Sequence, residues 1–162
     1  MPASYCEKPT DSTYREPMSD DRSDPVERAR LDNEFFGPLI PGQMGCVFDH
    51  SAPDLVVGHI AVTESLIAGT GFLFAPAVIA LADTCAAIGC GHNLGPGESF
   101  TTIELKSNFL SSARVGDLVV CRCTPVHLGR TTHVWDAEVT NAGTGRTMAL
   151  FRCTQMILAP RA

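Results

Sequence analysis

One carboxylate stands inside an otherwise apolar run. In PAVIALADTCAAIGCG, residues 76–91, Asp83 lies seven residues past Pro76, with Ala82, Thr84 and Cys85 beside it. A carboxylate among such neighbours is costly unless it is paired, hydrogen-bonded or put to use. Put to use, it moves a proton or attacks an electrophile. The alternative is an aspartate that meets solvent at a groove or caps a neighbouring loop. A second candidate is the run Gly129-Arg130-Thr131-Thr132. Its guanidinium fork suits a phosphate, although an arginine in a turn is also consistent with plain solvation.

The cysteines offer less. They stand at positions 6, 46, 85, 90, 121, 123 and 153, an odd number without CxxC spacing. Cys121 and Cys123, two apart on an expected strand, point to one face. All read as small apolar residues kept reduced. Cys90 and His92 are a conceivable ligand pair, but two ligands do not make a metal site, so no metal is expected. His127 and His133 read as structural or surface residues.

The run that carries Asp83 is apolar nearly all the way round, with good helix formers and a proline suited to its first turn. Such a helix must be buried on most sides. After it come four strand-like segments, at about 99–110, 117–127, 131–140 and 146–158. In the first, Ile103, Leu105 and Phe109 alternate with Thr102, Glu104, Lys106 and Asn108, the period of a strand with one face buried. Turns are marked by residues 113–117, by Leu128 and Gly129, and by 141–145. Before the helix, residues 44–50 and 54–64 hold short strand-like runs. Asp24 as N-cap and Pro25 at N1 open an earlier helix that ends near Gly37 and Pro38. One apolar helix followed by antiparallel-looking strands gives an α+β chain with a curved sheet wrapped around a central helix, the hotdog architecture.

Composition sets the wider limits. The chain has 162 residues, 44% of them apolar and 19% charged, enough for one domain with a real core and not for several. Its net charge of −6 argues against a nucleic-acid partner. Residues 1–36 carry nine acidic and five basic side chains, so most of that charge sits near the start. Residues 1–24 are poor in apolar groups and are expected to form a mobile acidic tail, with the domain at 25–162. No continuous run approaches the length of roughly 18 apolar residues that spans a bilayer, and the start has neither a basic cluster nor an apolar signal segment. We therefore expect no membrane partner and a cytoplasmic protein.

Four motifs in order, LADT at 81–84, FTTIELKSNFL at 100–110, GDL at 116–118 and PVHLGRTT at 125–132, resemble the hotdog acyl-CoA thioesterases. The likeness covers roughly residues 35–158 and is nearest to the PaaI and 4-hydroxybenzoyl-CoA thioesterase type. It implies hydrolysis of an aromatic or medium-chain acyl-CoA, without a cofactor, by Asp83 as nucleophile or general base. The alternative it leaves open is a catalytically weak hotdog protein that binds acyl-CoA or shapes a complex.

In that family a His-Gly-Gly turn opens the helix. Here the turn is Phe74-Ala75-Pro76. The resemblance makes Phe74 a substrate contact and the Ala75 N–H the donor to the thioester oxygen. It assigns a helping hydroxyl to Thr101 or Thr102, which a one-residue gap would exchange. It gives the CoA end to Gly129, Arg130, Thr131 and Thr132. Lys106 and Asn108 face away from the apolar side of their strand and either contact the nucleotide or are surface. The family's assembly is a homodimer, commonly paired into a dimer of dimers.

Overall fold

The computed structural model describes residues 24–160. The expected tail, apart from Asp24, lies outside the described residues. The chain forms α1 (Pro25–Phe36), α2 (Ile40–Gln43), β1 (Cys46–Ser51), β2 (Val56–Ala61), a 3-10 turn at Glu64–Leu66, α3 (Ala75–His92), β3 (Ser99–Phe109), β4 (Leu118–Leu128), β5 (Thr132–Asn141) and β6 (Thr147–Leu158). Asp24 caps α1 by accepting from the Val26 N–H at 3.1 Å, with Pro25 in the first turn. The short α2 was not expected. IPGQ is too brief for a periodic signal.

The strands make a six-stranded sheet in the order β1-β2-β4-β5-β6-β3, and every neighbouring pair is antiparallel. It wraps around α3, as the apolar helix requires. By length and composition α3 is apolar enough to cross a membrane, a correction to the expectation that no such segment exists. Its place in the fold explains the composition: Val78, Leu81, Ala82, Cys85, Ala86 and Cys90 are all buried against the sheet. Cys121 and Cys123 do share a face, the buried one.

Close approach of helix and sheet depends on two glycines. A side chain at Gly58 of β2 would meet the Val47 carbonyl at 2.9 Å and the Cys85 sulfur at 3.3 Å. One at Gly89 of α3 would meet the Trp135 ring at 2.5 Å. Trp135 is fully buried on β5. Its ring therefore lies directly on the helix backbone.

The two sheet edges are treated differently. Along β1, Asn33 of α1 satisfies the strand backbone twice, its Nδ2 donating to the Phe48 carbonyl and its Oδ1 accepting from the Phe48 N–H, both at 2.8 Å. Ser51 and His92 share a 2.6 Å hydrogen bond beside Asp32 and close the same side. At the other end of the sheet β3 pairs with β6 alone.

Within β3 the structure corrects the alternation. The register against β6 slips between Thr102 and Glu104, so Ile103 is an extra, bulged residue. Thr102 pairs with Gln155 and Leu105 with Cys153, both buried positions of β6. Thr102 therefore shares the helix-facing side with Leu105, not the outer side with Lys106.

Ala is the better helix former, yet Gly89→Ala should lower stability by roughly 1–3 kcal/mol because the added methyl overpacks a ring that cannot move aside. Urea denaturation of the variant and the parent measures this, and a gain in stability would show that the ring has room to shift.

Candidate active site

The bulge and the helix together build the site. Asp83 projects from the middle of α3 toward β3, half-buried, in the one direction where a helix enclosed by a sheet reaches the sheet's open edge. The Thr102 hydroxyl lies 3.4 Å from Asp83 Oδ1 and 3.1 Å from Gln155 Oε1. Gln155 is wholly buried, and its Nε2 donates to Cys153 Sγ at 3.7 Å. His133 continues the same cross-strand row on β5 and meets Cys90 of α3 at 3.4 Å. Burial raises the Asp83 carboxyl above the ordinary carboxylate range, and the Thr102 hydroxyl partly opposes that rise. The neighbouring Cys153 thiol is pushed up to about 12, chiefly by burial, so it stays neutral beside the carboxylate.

The Phe74-Ala75-Pro76 turn forms the start of α3. Phe74 occupies the N-cap without a side-chain cap, is 48% exposed, and donates its N–H to the Leu66 carbonyl at 2.8 Å. Leu73 is tied to the Ala113 carbonyl at 2.9 Å. The Ala75 N–H is thus set at a fixed helix N-terminus. From there to Asp83 is eight residues, roughly 12 Å along the axis. Within one chain the two groups do not meet at a single carbonyl.

The structure separates the two threonines. Thr102 faces Asp83, whereas Thr101 pairs with Met156 on the outer side of the sheet, away from it. Thr132 joins that outer row through the same Met156. Gly129, Arg130 and Thr131 form the β4–β5 turn at this end of the sheet, fastened by the Gly129 N–H to the Thr132 carbonyl and the Ile157 N–H to the Thr131 carbonyl. Arg130 is exposed there. Lys106 and Asn108 lie on the outer face opposite Arg152 and Leu150. They line an open groove of about 650 Å³ with Arg122 and Asp136, on the other side of the sheet from Asp83. Within one chain they are not brought to the carboxylate. Among the described residues no set of three or more metal-ligating side chains gathers. Cys90 and His92 diverge, the first to His133 and the second to Ser51.

Gln155 was missed by the sequence reading. Its signal is there all the same: at 149, 151, 153 and 155 the inward positions of β6 read Ala, Phe, Cys, Gln. An amide at the end of such a row needs a partner inside.

With this geometry in place, comparison with known proteins is direct. Residues 70–148 match the family model of the thioesterase superfamily. That match covers just under half of the chain. A curated relative, 1,4-dihydroxy-2-naphthoyl-CoA thioesterase 2 of Arabidopsis thaliana, is 27% identical over 99 residues, 61% of this chain and 62% of the relative. The match thus spans less than two thirds of that relative's length. Among solved structures, the E. coli PaaI protein from the phenylacetic acid degradation operon superposes with a TM-score of 0.71 at 21% identity, covering 84% of this chain and 97% of the other. A Streptococcus mutans protein bound to acetyl CoA does so at 0.64 and 23% identity, over 72% of this chain and 91% of the other. These two likenesses establish the hotdog fold of this chain.

The raised Asp83 carboxyl has a consequence for stability. Its pKa in the folded chain lies above the unfolded value, so the unfolded state binds fewer protons and stability is lost as pH rises from about 4 through the folded pKa. Asp83→Asn removes that loss. The variant should be at least as stable as the parent at pH 7, with the difference closing near pH 4. Urea midpoints at both pH values measure it, and a less stable variant at pH 7 would make Asp83 a structural acceptor.

Proposed function

We propose that the chain hydrolyses an acyl-CoA thioester to the free acid and CoA, with Asp83 as the reacting carboxylate. The observation that carries this is a half-buried carboxylate of raised basicity, held by the Thr102 hydroxyl on the open side of the fold. The match to the thioesterase superfamily model supports the reaction class, and the S. mutans neighbour bound to acetyl CoA supports the ligand class. Asp83 either attacks the thioester carbonyl or takes a proton from water that does. In both routes the C–S bond breaks, the thiolate leaves with CoA, and a proton restores the thiol. An aromatic acyl group is favoured by the likeness to PaaI and the naphthoyl-CoA enzyme, with Phe74 at the acyl end. Arg130, Thr131 and Thr132, at the same end of the sheet as Thr102, are assigned to the CoA phosphates.

The site is completed by a second copy. One chain keeps Ala75 and Asp83 roughly 12 Å apart along α3, and its β3 edge exposes Ile103 at 50% and Leu105 at 41%. A two-fold partner paired along β3 covers that edge and brings its own helix N-terminus toward Asp83. The described cysteines are all buried, unpaired thiols, which suits a reducing cytoplasm.

A thiol-release screen over short, medium, long and aryl acyl-CoAs tests the activity. Asp83→Asn should lower the rate roughly a hundredfold or more with an unchanged fold, since the amide neither attacks nor accepts a proton. Wild-type turnover in that variant, or no release from any acyl-CoA by the parent, would favour the binding-protein alternative. Light scattering tests the assembly: the parent should be a dimer or a dimer of dimers. The doubly substituted Ile103→Lys, Leu105→Lys protein should be a monomer that releases thiol roughly tenfold or more slowly. A stable, active monomer of the parent would refute the shared site.

A further inference from the structure

Thr102 has one hydroxyl proton and two acceptors. Gln155 Oε1 is at 3.1 Å and Asp83 Oδ1 at 3.4 Å, so the proton serves one of them at a time. Gln155 is fully buried on the inner face of β6, between Thr102 on β3 and His133 on β5 in one cross-strand row. Its Nε2 is engaged by Cys153 Sγ at 3.7 Å, which turns Oε1 toward Thr102. The amide is therefore held as an acceptor. A glutamine placed there to support an ionised carboxylate would instead present its N–H groups.

We propose that Gln155 is a positioning residue for Asp83, the second acceptor that lets the Thr102 hydroxyl reverse when the carboxylate gains a proton. The inference deepens the hydrolase reading and rests on it for its catalytic meaning. While Asp83 is ionised, Thr102 donates to Oδ1. When Asp83 takes a proton from attacking water, the new O–H donates to Thr102 Oγ1, and the threonine proton swings to Gln155 Oε1. One O–H bond breaks in the water and one forms on Asp83, while Thr102 keeps its own proton throughout. The protonated carboxyl then has its donor satisfied inside a low-dielectric site, where an orphaned donor is expensive. A nucleophilic carboxylate has no use for such an arrangement. A general base does.

No charged side chain in the row duplicates this role. From β4 and β6, Cys123 and Cys153 present thiols that burial keeps neutral. From β5, His133 is pushed down by burial and is bonded to Cys90 of α3. Glu104 and Asp136 lie on the outer face of the sheet, where Asp136 is paired with Arg152.

Because Gln155 favours the protonated form, its removal should lower the pKa of Asp83. The experiment is a carbon-13 NMR titration of the Asp83 carboxyl in the substrate-free protein, alongside the pH profile of kcat/KM for thiol release. Gln155→Met and Gln155→Leu are used in parallel, so that a folding failure in one leaves the other. Each should move the carboxyl titration down by about 0.5 to 1 pH unit, carry the acid limb of kcat/KM with it, and leave KM nearly unchanged. On a Thr102→Val background the same substitutions should produce no further shift, and on Thr102→Ser the shift should return. An unchanged or raised Asp83 titration in the Gln155 variants would overturn the proposal. So would an equal shift with and without the Thr102 hydroxyl. If the parent releases no thiol from any acyl-CoA, the hydrolase reading fails, and the carboxyl titration still decides the role of Gln155.

Discussion

Enclosing α3 is the constraint on which the rest of the structure depends. The helix is apolar on nearly every side, and its buried side chains gain about 1.5–3 kcal/mol each for the larger ones only if a sheet surrounds them. A six-stranded antiparallel sheet curved around one helix supplies that cover, and the curvature in turn needs the two backbones close. Gly58 and Gly89 provide the room, the first beneath Cys85 and the second beneath Trp135. A helix enclosed in this way reaches the outside only at an open edge of the sheet. Asp83 stands on the side of α3 that faces such an edge, which is why a carboxylate is tolerable there at all.

The difference between the two edges follows from side chains rather than from topology. At β1, Asn33 imitates a neighbouring strand by giving one donor and one acceptor to Phe48, and α1 lies over that side. The polar group of Asp32, Ser51 and His92 seals it further. Burial pushes Asp32 up to about 6 and His92 down to about 4, so His92 is neutral and Asp32 takes a proton more readily than an ordinary carboxylate. Nothing comparable lies along β3 among the described residues, where Ile103, Leu105 and Phe109 remain exposed. One edge is closed within the chain. The other is open among the described residues.

Much of this was legible in the sequence because it is written in long, strong periodicities. The apolar run fixed α3 to within a residue at each end, and the alternating segments located β3 to β6 almost as closely. What escaped has a local cause in each case. The bulge at Ile103 does not disturb the alternation of apolar and polar types, since Ile103 is itself apolar, yet it reverses the side on which Thr102 lies. A choice between Thr101 and Thr102 therefore could not be made from spacing. Gln155 escaped because a single neutral amide carries no charge or spacing signal, although its inward register on β6 marks it. Lys106 and Asn108 were legible as outward-facing, but which groove that face forms depends on the order of the strands, and no local pattern states that order.

The start of α3 explains why tuning of Asp83 carries so much weight in the proposed reaction. Phe74 gives its N–H to Leu66, Pro76 has none, and the Ala77 N–H is 2.9 Å from the Phe74 carbonyl. In the proposed reaction Ala75 is left as the first-turn donor for a developing oxyanion, aided by the positive end of the helix. A site with two such donors gains about 3 kcal/mol from each when it is well aimed. With one, more of the work of lowering the barrier falls on the base, and a base is improved by raising its affinity for a proton. Burial raises it for Asp83, and the Thr102 hydroxyl counters that in proportion to how fully it donates. In the proposed reaction Gln155 draws on that same proton, so the strength of the base follows from a competition between two acceptors for one hydroxyl on the helix-facing side of the sheet.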